Sequence, residues 1–140
     1  MKRNLLFAAV LFLVSVYSYS QLSWNWMHPT PQGNTLSYTK MFSVTDWVAV
    51  GYGGTFMKTT NAGVNWYITH NAAGVKTTSQ ISLYNAHFFN MTTGIVCGSS
   101  GQIWRTTNGG LSFDSIPGGV TATLYGIHFI DASTGFIGGS

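Results

Sequence analysis

The chain has 140 residues, enough for one ordinary domain, and only 6 % of them are charged, with no glutamate at all. Charged residues usually make up about a quarter of a globular chain. The shortfall, together with abundant glycine, aromatic and β-branched residues, excludes a disordered tail and points to a β-rich extracellular protein. The formal charge of +3 includes Lys2 and Arg3. Beyond them Lys40, Lys58, Lys76 and Arg105 nearly balance Asp46, Asp114 and Asp131, which is no footprint for nucleic acid or an anionic membrane.

Residues 1–20 read as a signal peptide. MKRN forms a positive start, Leu5–Val16 an apolar stretch, and Ser18 and Ser20 place small residues at −3 and −1 before Gln21. The apolar stretch falls short of the roughly 20 residues needed to span a bilayer. An uncleaved signal anchor is the alternative. No cysteine follows the cleavage point, so a lipoprotein anchor is not expected. The mature chain is expected to be exported (secreted, periplasmic or on the cell surface), with no membrane span once the leader is removed.

Residues 21–35 hold a lone strand and a linker. Trp24–His28 resembles Trp66–His70, and Pro29–Gly33 leads into the first long repeat. From Leu36 the chain restates itself, starting again at Leu83 and at Leu124, 47 and 41 residues apart. The first two copies align without a gap: Gly51 with Gly98, Gly54 with Gly101, and Thr59-Thr60-Asn61 with Thr106-Thr107-Asn108. The third copy matches at Leu124, Tyr125, His128, Phe129, Gly135 and Gly139. This period is that of a four-stranded propeller blade.

Strands are predicted at about Leu36–Phe42, Trp47–Gly51, Thr55–Thr59 and Asn65–His70, with the Gly53-Gly54 pair as a hairpin signal. The second copy repeats them from Leu83 to about Ile116, and Gly74–Ser79 and Pro117–Thr121 are the crossings. The expected fold is all-β: an incomplete β-propeller of about two and a half blades, at 36–70, 83–117 and 124–140. The Trp24–His28 strand would complete the last blade of a closed ring and hide its edge.

Each full copy carries the same turn, Thr59–Trp66 and Thr106–Phe113, as Ser/Thr-x-Asn-x-Gly-x-x-aromatic. The amide oxygen of Asn61 or Asn108 is expected to accept backbone N–H groups two residues on. Gly63 or Gly110 supplies a conformation strained for other residues. Trp66 or Phe113 is expected to bury its ring and pin the turn to the sheet beneath. Thr59, Asn61, Gly63, Trp66 and Thr106, Asn108, Gly110, Phe113 are thus read as structural positions. The turns resemble the Asp-box of BNR-repeat propellers, with Asn where Asp is more usual.

With W-x4-P-x-P-x-G-N-x-L at Trp24–Leu36 and the V/I-x-V/C-G strand, the chain resembles the photosystem II assembly/stability factor-like BNR propellers. That resemblance implies rings of about seven blades, so the chain looks like the N-terminal fragment of a longer protein. It also implies an assembly-factor type of task, a protein-binding or scaffold role with protein partners. It does not imply photosynthesis, because that label travels with the repeat and not with an identifiable residue.

An enzyme reading finds little support. A sialidase needs an arginine cluster and a Tyr nucleophile with an acidic partner. Beyond the leader there is one arginine, Arg105, at the repeat position of Lys58, and the three aspartates fall at turns or after the box aromatic. No catalytic residue, cofactor or metal is expected. The alternative is the N-terminal part of a sialidase-like glycoside hydrolase or an adhesin whose active parts lie beyond residue 140. His28, His70, His87 and His128 are scattered. Lys40, His87 and His128 share one inner-strand position, but sheets about 10 Å apart should keep them from converging on an ion. Cys97, aligned with Val50 and Gly138, is read as a small buried hydrophobe. The Asn90-Met91-Thr92 sequon is taken as incidental.

Overall fold

In a computed structural model, the structure describes residues 32–70 and 81–140. The leader, the Trp24–His28 strand, most of its link and the Gly74–Ser79 crossing lie outside the described residues.

Two four-stranded antiparallel sheets follow one another in simple sequence order. The first contains β1 (Leu36–Met41), β2 (Trp47–Gly51), β3 (Thr55–Thr59) and β4 (Tyr67–Thr69). The second contains β5 (Leu83–Phe88), β6 (Gly94–Gly98), β7 (Ile103–Thr106) and β8 (Asp114–Ile116). A two-stranded sheet, β9 (Leu124–Phe129) with β10 (Gly135–Gly139), starts a third blade. This is the expected incomplete β-propeller of four-stranded blades.

The turns joining the first two strands of each blade share one device. A side-chain oxygen at equivalent positions, in Ser43, Asn90 or Asp131, accepts backbone N–H groups two and three residues on, at 2.8–3.1 Å. This Asx- or ST-type turn reverses the chain within five residues. The fourth strands are shorter than expected, because Asn65 N–H is still held by the Asn61 side chain. Pairing with β3 begins only at Tyr67.

The core sits between blades. Val48, Val50 and Phe56 of the first blade pack with Leu83, Ala86, Phe88, Val96, Trp104 and Phe113 of the second. Cys97 and Ile103 of the second blade pack in turn with Leu124 and Ile127 of the third. One face of each sheet is thus dried by its neighbour, the arrangement by which repeat units bury what each would expose alone.

At the hub β5 lies beside β1 and β9. Four hydrogen bonds lace the hub strands together. Ser37 Oγ donates to Leu83 O at 2.6 Å, Lys40 Nζ to Phe88 O at 2.6 Å, and Asn85 Nδ2 to Tyr125 O at 3.0 Å. The fourth runs from Phe129 N–H to His87 Nδ1 at 3.3 Å. Each hub strand also carries a register shift near its start, which leaves Ser37, Tyr84 and Tyr125 as the extra, unpaired residues. A bulge of this kind re-aims the side chain it carries.

Candidate functional site

The repeated turns are built by two side chains acting together. Thr59 Oγ1 donates to Asn61 Oδ1 at 3.0 Å and accepts from Asn61 N and Gly63 N at 3.3 and 3.0 Å. Asn61 Oδ1 also accepts from Asn65 N at 2.8 Å. The second turn repeats every bond: Thr106 Oγ1 with Asn108 Oδ1, Asn108 N and Gly110 N, and Asn108 Oδ1 with Ser112 N. The amide oxygen therefore reaches four residues on and not two. The near bonds belong to the threonine hydroxyl, which is buried in both turns. The threonine was visible as part of the pattern, but its share of the bonding was not.

Two consecutive residues in each turn take left-handed backbone: Ala62 and Gly63 at φ 56° and 83°, Gly109 and Gly110 at 69° and 80°. The glycine at the second position answers the expected need. Ala62 is a non-glycine at the first, where a Cβ costs about 1–2 kcal/mol.

The aromatic positions differ from expectation. Phe113 is 7 % exposed, but its ring meets Phe56 of the preceding blade, centroids 5.5 Å apart and steeply inclined. Its ring joins the core shared by both blades, so the turn is pinned to the neighbouring sheet too. Trp66 is only half-buried, tilted against Trp47 at 6.1 Å, and its indole N–H is enclosed without a hydrogen-bond partner. Lys58 crosses the same seam, donating to Gly109 O at 2.7 Å and lying over the Tyr67 ring. Its counterpart Arg105 is exposed, opposite Asp114 in register.

Two of the aspartates are taken up by the turns that carry them. Asp46 Oδ2 accepts from Ser43 Oγ and Thr45 Oγ1. Asp131 Oδ1 accepts from the Ser133 and Thr134 N–H groups and from Ser133 Oγ, bonds that hold its carboxyl below the usual carboxylate range. Cys97 is fully buried, its thiol pushed up to about 11 by burial. This is the character of a hydrophobe and not of a nucleophile.

The hub brings together residues that were expected to stay apart. The rings of His87 and His128 meet edge to face with centroids 5.6 Å apart. The 10 Å spacing of stacked sheets does not hold here, because blades converge toward their innermost strands. Among the described residues no third His, Cys, Asp or Glu completes a metal site beside them. His87 is packed against Phe89 and Phe129, and burial, then Lys40 and His128, lowers its pKa. Since Nδ1 accepts from the Phe129 amide, the neutral ring carries its proton on Nε2.

Nearer the starts of the hub strands runs a row of tyrosines that the sequence reading missed. Tyr84 lies 5.5 Å from Tyr52 at an interplanar angle of 80°, and 5.0 Å from Tyr125 at 55°. Tyr52 and Tyr125 are 43 % and 53 % exposed. The Leu-Tyr repetition at 83–84 and 124–125 was visible, but the bulge that carries both tyrosines was not.

No protein-family model and no curated protein matches the chain. Among solved structures it is similar to YCF48 from Cyanidioschyzon merolae, at 18 % identity and a TM-score of 0.59, covering 76 % of this chain and 35 % of that one. It is similar also to YCF48 bound to D1 peptide, at 18 % identity and a TM-score of 0.61, covering 76 % of this chain and 34 % of that one. The chain spans about a third of the length of those structures. At such identity the likeness establishes the fold, a β-propeller of the YCF48 kind.

Proposed function

We propose that the chain is an exported, non-enzymatic β-propeller that binds protein, in the manner of a scaffold or assembly factor. The observation that carries this reading is the row Tyr52, Tyr84 and Tyr125, half-buried at Tyr84 and exposed at both ends, mounted on the laced hub. Tyrosine offers large contact area with few rotatable bonds and a polar tip, which is why it is enriched where proteins meet. Likeness in fold to a propeller solved with a peptide bound points the same way. The two Thr-x-Asn turns are read as Asp-box turns of the BNR type with a structural task. Their matched hydrogen bonds, within the turn and from Ala62 N–H to Thr45 O and Gly109 N–H to Thr92 O, support that.

The binding reading is tested by placing a photo-crosslinking amino acid at Tyr125 and, as control, at the exposed Val64 of the first turn, in cells making the full-length protein. Protein adducts should form at 125 and not at 64. No protein adduct at 125 overturns the reading. Export is tested by mass spectrometry, which should find an N-terminus at or near Gln21. An intact Met1 in a membrane fraction would instead support a signal anchor.

A further inference from the structure

One repeat position laces each blade to the next. Lys40 on β1, His87 on β5 and His128 on β9 occupy it, and Phe88 and Phe129 are likewise equivalent. Across the first seam Lys40 Nζ donates to the Phe88 carbonyl at 2.6 Å. Across the second the direction is reversed, and Phe129 N–H donates to His87 Nδ1 at 3.3 Å. Acid does not disturb a bond that an ammonium donates. It does remove a bond that an imidazole nitrogen accepts, because a protonated ring has N–H at both nitrogens and no acceptor. Nδ1–H would then face Phe129 N–H, donor against donor.

The His87 ring is held where it is. It lies against Phe89 and Phe129, centroids 5.0 and 5.3 Å away, and those two rings stand 5.2 Å from each other. Turning the imidazole away from the amide therefore means unpacking a cluster that spans both blades. The elements packed on β5 bring few charges to it. β1 contributes Tyr38 and Lys40, β9 Tyr125 and His128, β6 Cys97, and the turn after β2 Tyr52. Phenols and thiols are uncharged in acid, which leaves Lys40 and His128. Asp46 and Asp131, in the turns that follow β1 and β9, are the carboxylates at this end of the hub. Burial, Lys40 and His128 outweigh them, since the pKa of His87 is lowered.

We propose that His87 is a proton-operated latch between the second and third blades. Neutral, it holds the β9 backbone. Protonated, it releases that strand, so the second seam loosens in acid while the Lys40 bond keeps the first. This goes beyond the protein-binding reading and does not depend on it. An unfolded histidine ionises at about pH 6.5, and the folded His87 does so lower. Stability is therefore whole above about pH 6.5 and declines as pH falls toward the folded value.

The test is an NMR titration of the full chain from pH 8 to pH 4, following the His87 ring nitrogens and the Phe129 amide. At pH 8 the ring should carry its proton on Nε2 alone. It should titrate below about pH 6.5. At the same midpoint the exchange protection of the Phe129 amide, corrected for intrinsic rate, should fall by about fivefold, the worth of one hydrogen bond. His87→Asn puts an amide oxygen near the place of Nδ1 without a proton to gain, so that variant should keep its protection throughout. An Nδ1–H tautomer at pH 8, a ring still neutral at pH 4, or a Phe129 amide indifferent to the titration overturns the proposal. So does an equal loss of protection in His87→Asn. Should that variant fail to fold, the wild-type titration decides alone.

Discussion

The two seams between blades are made from the same repeat positions, yet they are filled differently. In the first, Phe56 is fully buried beneath Phe88 and Phe113, and Lys58 reaches across to the Gly109 carbonyl. In the second, Ile103 stands where Phe56 stood, and a cleft of about 310 Å³ opens beside it, lined by Val120, Ala122, Leu124 and Ile137. The first seam is closed by the turn of the following blade, which carries both the aromatic ring and the carbonyl. In the third blade the described residues form two strands, and the corresponding turn is not among them. The first seam shows that the repeated turn is an inter-blade part: it is folded by its own threonine and asparagine, but it also packs on the sheet next door.

The largest expected effect removes the ring at the centre of the filled seam. Phe56→Ala should cost about 3–5 kcal/mol, and Ile103→Ala, beside the cleft, should fall toward the lower end of about 2–5 kcal/mol. Equal shifts in denaturation midpoint would break the comparison. The matched glycines give the next test. A Cβ on Gly110 would lie 2.1 Å from the Phe56 ring, whereas on Gly63 the nearest atom is 3.4 Å away, in the Trp66 ring. Both alanines suffer left-handed strain of about 1–2 kcal/mol. Only Gly110→Ala adds overpacking, about 1–3 kcal/mol more.

Smaller effects separate the turns from the seam. Asn61→Ala and Asn108→Ala should each cost about 0.5–2 kcal/mol if these amides act as helix caps do. The loss at Asn108 should be the larger, because its Nδ2 also donates to Ser112 Oγ at 2.8 Å. Binding lost without a change in midpoint would make the turns sites and not supports. Ala62→Gly, which copies the second turn into the first, should raise the midpoint by relieving about 1 kcal/mol of strain. A fall would mean that the alanine is held by contacts that outweigh it.

The smallest effect on stability concerns Cys97 in the second seam. Its thiol is raised to about 11, so an alkylating reagent at pH 8 should leave it unlabelled in the native protein and modify it once denaturant opens the blades. The sign for stability follows. The unfolded thiol ionises at lower pH than the folded one, so stability is intact below the unfolded value and declines as pH rises toward the folded one. Rapid native labelling would show that the seam opens readily.

The repeat period, the strand order and the turn positions could be read from the residues, because each depends on local chemistry repeated in register. Gly51 returns as Gly98, Asn61 as Asn108, and the β-branched stretches between them alternate as strands do. Tertiary structure alone decided what each turn touches. Phe113 and Lys58 each make a contact across a seam, with partners 57 and 51 residues away, and no local pattern encodes that pairing. The hub was decided in the same way. Sheets that stack at a regular spacing would keep His87 and His128 apart, but sheets radiating from an axis converge at their first strands. That convergence, together with a one-residue bulge, turned a repeated Leu-Tyr into a row of packed rings.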